Sequence, residues 1–312
     1  MDPFTNPYLM TQPIIVVGSS NTDMVIKAEK FPLPGETILG GEFFLFPGGK
    51  GANQAVAAAR LGGRVTFIAK VGNDIFGEQA LQQFKNEGII TDYVAKDPKH
   101  PTGVALITVD AKGENTIVVA QGSNGKLSPD DIDKGAAEFA NAGYILTQLE
   151  TPLDTILHVA KLASANGKKM ILNPAPAQSL PTTLFPYLYL ITPNETETEV
   201  LTGIKIKDQS SIKQAAEKLI EKGVANVIIT LGSEGAYLYQ DGSGVIIPTR
   251  KVNAVDTTAA GDVFNGALAV ALAEGNTLKQ AVEFANHAAA ISVTKMGAQA
   301  SAPYRTELMN NV

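Results

Sequence analysis

The chain contains no cysteine in its 312 residues, which excludes disulfides, thiolate metal sites and cysteine nucleophiles together. Such a composition fits a reducing, cytoplasmic setting. Basic residues are in the minority, with 25 Lys and Arg against 31 Asp and Glu and a formal net charge of −6. Bulk electrostatics therefore gives a nucleic acid no reason to bind. No uninterrupted apolar run reaches the ~18 residues that a membrane span needs, so no membrane partner is expected. Only three histidines occur, His100, His158 and His287. None has a partner at metal-ligand spacing, so each reads as structural or surface. Residues 1–13 have neither a cationic start nor an apolar core. They exclude a signal peptide and read as a disordered leader or a cloning remnant.

What the sequence does have is a regular alternation. Short β-branched runs at Ile14–Val17, Val65–Val71, Tyr144–Leu149, Lys169–Leu172, Tyr189–Thr192 and Val227–Leu231 are separated by helical patterns. Those patterns include Lys50–Leu61, Gly77–Glu87, Leu153–Asn166 and Ile212–Lys222, and several end on a glycine (Gly62, Gly88, Gly167, Gly223) before the next strand. This predicts an α/β fold, a large and mainly parallel sheet with helices on both faces. Two stretches break the alternation. Val104–Asp110 and Asn115–Gln121 flank Ala111-Lys112-Gly113-Glu114 as a hairpin, and Met24–Ile26 and Thr37–Phe46 flank a Pro-Gly turn. These strands form either a small separate sheet or an antiparallel edge on the main one. Under the first reading, residues 14–21, 47–101 and 123–312 are the body, and residues 22–46 and 102–122 a β lid.

The segment Asp256-Thr257-Thr258-Ala259-Ala260-Gly261-Asp262 precedes a helical pattern in which Phe264, Leu268 and Leu272 share one face. Ala259, Ala260 and Gly261 therefore sit at a helix N-terminus, where backbone N–H groups have no intrahelical acceptor and small side chains let an anion approach. Asp262 reads in two ways from this segment alone. It is either a base beside a bound phosphoryl group or an acidic first-turn residue favoured by the helix dipole. Gly48-Gly49-Lys50-Gly51-Ala52-Asn53 also opens a helix, but without the spacing of a Walker-type phosphate loop. Asn194 and Glu197 fit an ordinary capping box as well as a site, and Asn21 and Asp23 fit a turn as well as a ligand contact.

The heptapeptide at 256–262 resembles the C-terminal signature of the PfkB-type carbohydrate kinases, in the form carried by members that phosphorylate ribose. The likeness extends to Gly48–Gln54, Asn173-Pro174-Ala175-Pro176, Thr192–Glu197 and Ile229–Ser233, in the family's order, over roughly Ile14 to Pro303. The resemblance implies ATP-dependent phosphorylation of a small sugar, D-ribose at its 5-hydroxyl. It gives Asp262 the role of base and makes Ala259, Ala260 and Gly261 the anion hole. Asn21, Asp23, Gly49, Lys50, Asn53 and Glu150 would contact the sugar. Asn194, Glu197, Thr230, Gly232, Ser233, Gly235, Gly261 and Asn286 would border the nucleotide, with Glu197 placing Mg²⁺ through water. A K⁺ ion would be held by Asp256, Thr258, Ser292, Lys295, Gly297 and Ser301, partly through backbone carbonyls. The resemblance also implies a homodimer formed through the lid.

Overall fold

The computed structural model describes residues 11–310, so most of the expected leader lies outside the described residues. Strands β1 (Ile14–Val17), β2 (Asn21–Lys27), β3 (Glu42–Gly48), β4 (Val65–Gly72), β5 (Val94–Asp97), β6 (Gly103–Val109) and β7 (Asn115–Ala120) come first along the chain. They are followed by β8 (Tyr144–Thr147), β9 (Lys169–Leu172), β10 (Leu188–Ile191), β11 (Asn226–Thr230), β12 (Ala236–Gln240) and β13 (Ser243–Ile247). Nine of them form one sheet in the order β13-β12-β11-β10-β9-β8-β1-β4-β5. All its neighbouring pairs are parallel except β11–β12 and β12–β13.

The all-apolar sequence of β1 reflects burial on both faces. Ile14 and Val16 enter one core with helices Lys50–Arg60, Ala260–Ala273 and Leu278–Ser292. Ile15 and Val17 enter the other, with helices Leu153–Ala165 and Gln209–Glu221. Helix Ala260–Ala273 is buried from Asp262 to its end, a wider burial than the one apolar face read from its sequence. It crosses helix Lys50–Arg60 closely. A Cβ at Gly266 would lie 2.7 Å from the Gln54 carbonyl oxygen and 2.8 Å from Ala57 Cβ, so only glycine permits that approach. Among the described residues no helix is long and apolar enough to cross a membrane.

The remaining four strands form a separate sheet in the order β3-β2-β6-β7; an antiparallel edge does exist on the main sheet, but β12 and β13 make it. Their turn, Asp241-Gly242 with φ of 52° and 76°, carries the Asp-Gly signal of a tight hairpin that the sequence reading passed over. The strand expected at Thr37–Phe46 starts only at Glu42, because Gly40 and Gly41 have φ of 103° and 104°, outside strand conformation. Side chains alternate across the small sheet. The row Leu45–Met24–Leu106–Val118 lies on one face and the row Phe46–Asp23–Ala105–Val119 on the other.

Candidate active site

From β1 the chain runs to β4 on one side, and it later returns to β8 on the other side of β1. The helices after β1 and β8 pack on opposite faces, which leaves a crevice beyond the carboxyl ends of these two strands. Ligands bind in such crevices of open α/β sheets. The residues following β1 and β8 face each other there. The Ser19 hydroxyl donates to Glu150 Oε2, which also accepts from the Lys50 amide at 2.9 Å.

Two helices open into this crevice, and they treat their N-terminal amides differently. In helix Lys50–Arg60, set up by Gly49 at φ 90°, the Lys50 amide reaches Glu150, the Gly51 amide reaches Ser19 Oγ, and the Ala52 amide reaches the Ser19 carbonyl. The chain's own groups already satisfy that end, as Lys50's place after Gly49 does not reveal. In helix Ala260–Ala273 the Ala260 amide turns back to the Thr257 carbonyl and the Val263 amide bonds the Ala259 carbonyl. Between them the amides of Gly261 and Asp262 have no acceptor among the described residues. Ala259 holds this turn open in the left-handed region at φ 60°, ψ 12°, which costs an L-residue about 1–2 kcal/mol. A Cβ at Gly261 would meet nothing within 4 Å. The space over these amides is open, as an anion requires.

Asp262, the next residue, is only 5% exposed. Its Oδ2 accepts from Asn53 Nδ2 and its Oδ1 from Gln54 Nε2, each at 2.9 Å. Burial pushes its pKa upward, and Glu150 adds to this; the Lys50 ammonium and the two amide donors oppose it. A carboxylate whose pKa is raised accepts a proton more readily than an ordinary one. The Lys50 pKa is raised as well, but by charge rather than by burial. Asp262 raises its pKa most, burial works against this, and Glu150, Glu197 and Asp23 reinforce the rise. Among the described residues its ammonium forms no ion pair, so it stands in the field of four carboxylates without contacting one.

The other expected contacts fall into groups. Asp23, on the small sheet, is electrostatically coupled to Glu150, Asp262 and Lys50, so that face looks into the crevice. Asn21 Oδ1 accepts from Asn124 Nδ2 at 2.7 Å, a partner the sequence reading did not include. Asn53 Oδ1 is buried with no donor among the described residues, an acceptor open to a ligand hydroxyl. Asn194 and Glu197 do form the capping box at the start of helix Glu195–Thr202. Burial pushes Glu197 up, against the Asn194 amide and Lys50, while Asp262 adds to the rise. Asn194 pairs with Thr230 in an isolated parallel bridge, which sets the Gly232–Gly235 turn beside it. Asn286 behaves differently. Its amide donates to the Ile247 carbonyl at 2.8 Å, so it clamps the end of β13.

Asp256 joins the last group. Its Oδ1 accepts from the Thr258 amide at 2.9 Å and its Oδ2 from the Gly297 amide at 2.8 Å. Burial opposes its ionisation, but hydrogen bonds from Thr258 and Gly297 outweigh it and hold its pKa below the ordinary value. Ser292 and Ser301 are buried, each hydroxyl donating to a carbonyl three residues back. The Lys295 side chain is turned to Glu307.

A buried base, a pair of unpaired amides beside it and an unpaired ammonium are the parts of a phosphoryl-transfer site. The sequence profile described as pfkB family carbohydrate kinase matches residues 11–305. The chain belongs to that family. It is 45% identical over 300 residues to a ribokinase of Haemophilus influenzae, covering 96% of this chain and 98% of that one. It is 40% identical over 291 residues to a deoxyribokinase of Salmonella typhi, covering 93% and 95%. Among solved structures it is similar to that of Arabidopsis thaliana ribokinase complexed with ribose and ATP. The TM-score is 0.91 and the identity 33%, over 96% of this chain and 98% of that one.

This carbohydrate kinase concentrates negative charge in the crevice. Asp23 is raised from 3.8 to about 6, first by burial and then by Glu150 and Asp262, with Lys50 opposing. Between those values the folded chain binds a proton that the unfolded chain has released. Asp23 therefore favours folding fully below the lower value and loses that contribution as pH rises through the upper one. Asp23→Asn, permanently neutral, is expected to be more stable than wild type by roughly 1–3 kcal/mol at about pH 8, and no more stable at about pH 4. Thermal denaturation at the two pH values checks this, and equal melting differences at both would contradict it.

Proposed function

We propose that the enzyme transfers the γ-phosphoryl group of ATP to O5 of D-ribose, giving ribose 5-phosphate and ADP, in the cytoplasm. The observation that carries the reading is the contrast between the two helix N-termini. One is closed by Glu150 and Ser19, and the other is left open over Gly261 beside a buried carboxylate.

The sugar would lie against Asn21, Asp23, Gly49, Lys50, Asn53 and Glu150, with its 5-hydroxyl at Asp262. A polyol needs both donors and acceptors. Asn53 Oδ1 and the carboxylates of Asp23 and Glu150 accept, and the Lys50 ammonium donates. Asp262 takes the hydroxyl proton as O5 attacks phosphorus. The bond to the ADP oxygen breaks, and the free amides of Gly261 and Asp262, with Lys50, stabilise the charge in transit; of the expected anion hole Ala259–Gly261, Ala259 shapes the turn and the Ala260 amide is engaged by the Thr257 carbonyl. The nucleotide would run past Asn194 and the Thr230, Gly232, Ser233 and Gly235 turn, with Asn286 acting through the strand end it clamps.

Glu197 and the phosphates would hold Mg²⁺. Both its oxygens already accept from Asn194, but each keeps a further lone pair for a metal-bound water. The donor set at Asp256, Thr258, Ser292, Lys295, Gly297 and Ser301 offers an ionised carboxylate, hydroxyls and carbonyls, with no thiolate or imidazole. Such a set suits a hard cation such as K⁺. These ions would supply charge neutralisation on the phosphates and at the anion hole.

The small sheet, residues 22–46 and 102–122, would act as a lid that keeps water from the phosphoryl group. Its face away from Asp23 carries Phe43 (58% exposed), Ile26, Leu45, Leu106 and Val118, all exposed. An apolar face of this extent favours a partner, and a second lid of the same chain would cover it. Sedimentation is expected to return a dimer at micromolar concentration, and Leu106→Glu a monomer. A wild-type monomer would remove this element.

Asp262→Asn is expected to lower kcat by about a thousandfold while ribose still binds. ADP release is to be measured for ribose, 2-deoxyribose and fructose, with Mg²⁺ and with K⁺ present or withheld. Near-normal turnover by the variant would remove the base assignment and leave the fold free for a sensing role. A higher kcat/KM for 2-deoxyribose or fructose would replace the substrate.

A further inference from the structure

Asp262 is one end of a buried chain of side-chain hydrogen bonds that proton abstraction alone does not call for. Gln54 Nε2 donates to Asp262 Oδ1 at 2.9 Å and to Asn173 Oδ1 at 3.0 Å, and Gln54 Oε1 accepts from Gln148 Nε2 at 2.6 Å. Asn173 Nδ2 then donates to the Thr192 carbonyl at 3.3 Å, and the Thr192 hydroxyl donates to Asn265 Oδ1 at 2.6 Å. Asn265 Nδ2 closes the circuit on the Gly261 carbonyl at 2.8 Å. The chain that starts at the base returns to the residue before it. Gln54 is fully buried, and Gln148, Thr192 and Asn265 are each 1% exposed.

Each bond in this circuit has one possible direction. A flipped Gln54 amide would set its oxygen against the Asp262 carboxylate and Asn173 Oδ1, and its NH₂ against the Gln148 NH₂. The Asp262 carboxylate and Asn173 Oδ1 therefore fix the Gln54 orientation, and Gln148, whose Oε1 has no partner among the described residues, follows it. Buried polar chains of this kind are costly when half-satisfied and specify a single arrangement when complete.

We propose that Gln54 is a positioning residue for the phosphoryl transfer. It fixes the orientation of the Asp262 carboxylate and, through Asn173, Thr192 and Asn265, holds the base in register with the free amides of Gly261 and Asp262. The proposal rests on the sugar-kinase reading above. Four charged groups face Asp262 from the surrounding elements. They are Lys50 on helix Lys50–Arg60, Glu150 after β8, Asp23 on β2 and Glu197 on helix Glu195–Thr202. None of them is hydrogen-bonded to Gln54. A change at Gln54 therefore reports on Asp262.

An amide donor favours the ionised carboxylate, so its loss moves the titration of Asp262 to higher pH. Gln54→Met is expected to shift the acidic limb of the kcat profile, at saturating ribose and ATP, upward by about one pH unit. At about pH 7, kcat is expected to fall roughly tenfold with the KM for ribose little changed. Gln148→Met releases the Gln54 amide without touching Asp262 and is expected to shift the limb the same way by less. It carries the test if Gln54→Met does not fold. A fall in kcat with the limb at its wild-type position would reduce Gln54 to packing and overturn the proposal. Absence of sugar-dependent ADP release from the wild-type enzyme would instead remove the kinase reading, and this proposal with it.

Discussion

Asp262 is a carboxylate withdrawn from water at the mouth of a helix whose Gly261 and Asp262 amides are unpaired, and the rest of the site is arranged around the cost of putting it there. Isolated burial of that charge would drive it to the neutral form. Two amide donors from Asn53 and Gln54 and the field of Lys50 counter that tendency. The three residues lie on the first turns of one helix, and that helix meets the Asp262 helix at the close crossing that Gly266 permits. Packing and electrostatics are here the same requirement. A looser crossing would separate the donors from the base.

The same crevice holds Asp23, Glu150, Glu197 and Asp262 around a single ammonium. This excess of negative charge works against folding above about pH 6, the value to which Asp23 is raised. It becomes intelligible once the ligands are considered. Under the proposed function, sugar hydroxyls would donate to the carboxylates and hydrated cations would accompany the phosphates, so substrate and ions would relieve this repulsion. Stability has been given up at the site in exchange for complementarity to what binds there. The small sheet contributes Asp23 on one face and leaves an apolar row on the other; under the proposed function it would link sugar binding to association.

The α/β body was legible because its strands are short β-branched runs and its helices end on glycine; these are local signals. The heptapeptide ending at Asp262 could be placed at a helix N-terminus on the same grounds. Other features need three dimensions. Gln54 and Asn265 lie on two helices and Gln148, Asn173 and Thr192 just beyond the ends of β8, β9 and β10, and no spacing along the chain joins them. Glu150 read as a loop carboxylate or a sugar contact, and only the fold shows that its Oε2 also closes the N-terminus of helix Lys50–Arg60. Asn286 read as a nucleotide contact, and only the fold shows that its amide also clamps β13. The β12–β13 hairpin was a different kind of miss, since Asp241-Gly242 announces it locally. The start of β3 was misjudged because two consecutive glycines at positive φ look no different in sequence from glycines in a strand.

The central claim is that the open helix end over Gly261 receives the transferring phosphoryl group while Asp262 faces the attacking hydroxyl. A crystal structure with ribose and a non-hydrolysable ATP analogue tests it most directly. The account expects a sugar hydroxyl within about 3 Å of an Asp262 carboxylate oxygen and the terminal phosphate directed at the Gly261 and Asp262 amides. A terminal phosphate bound at the start of helix Lys50–Arg60, or a sugar lying away from Asp262, would contradict it.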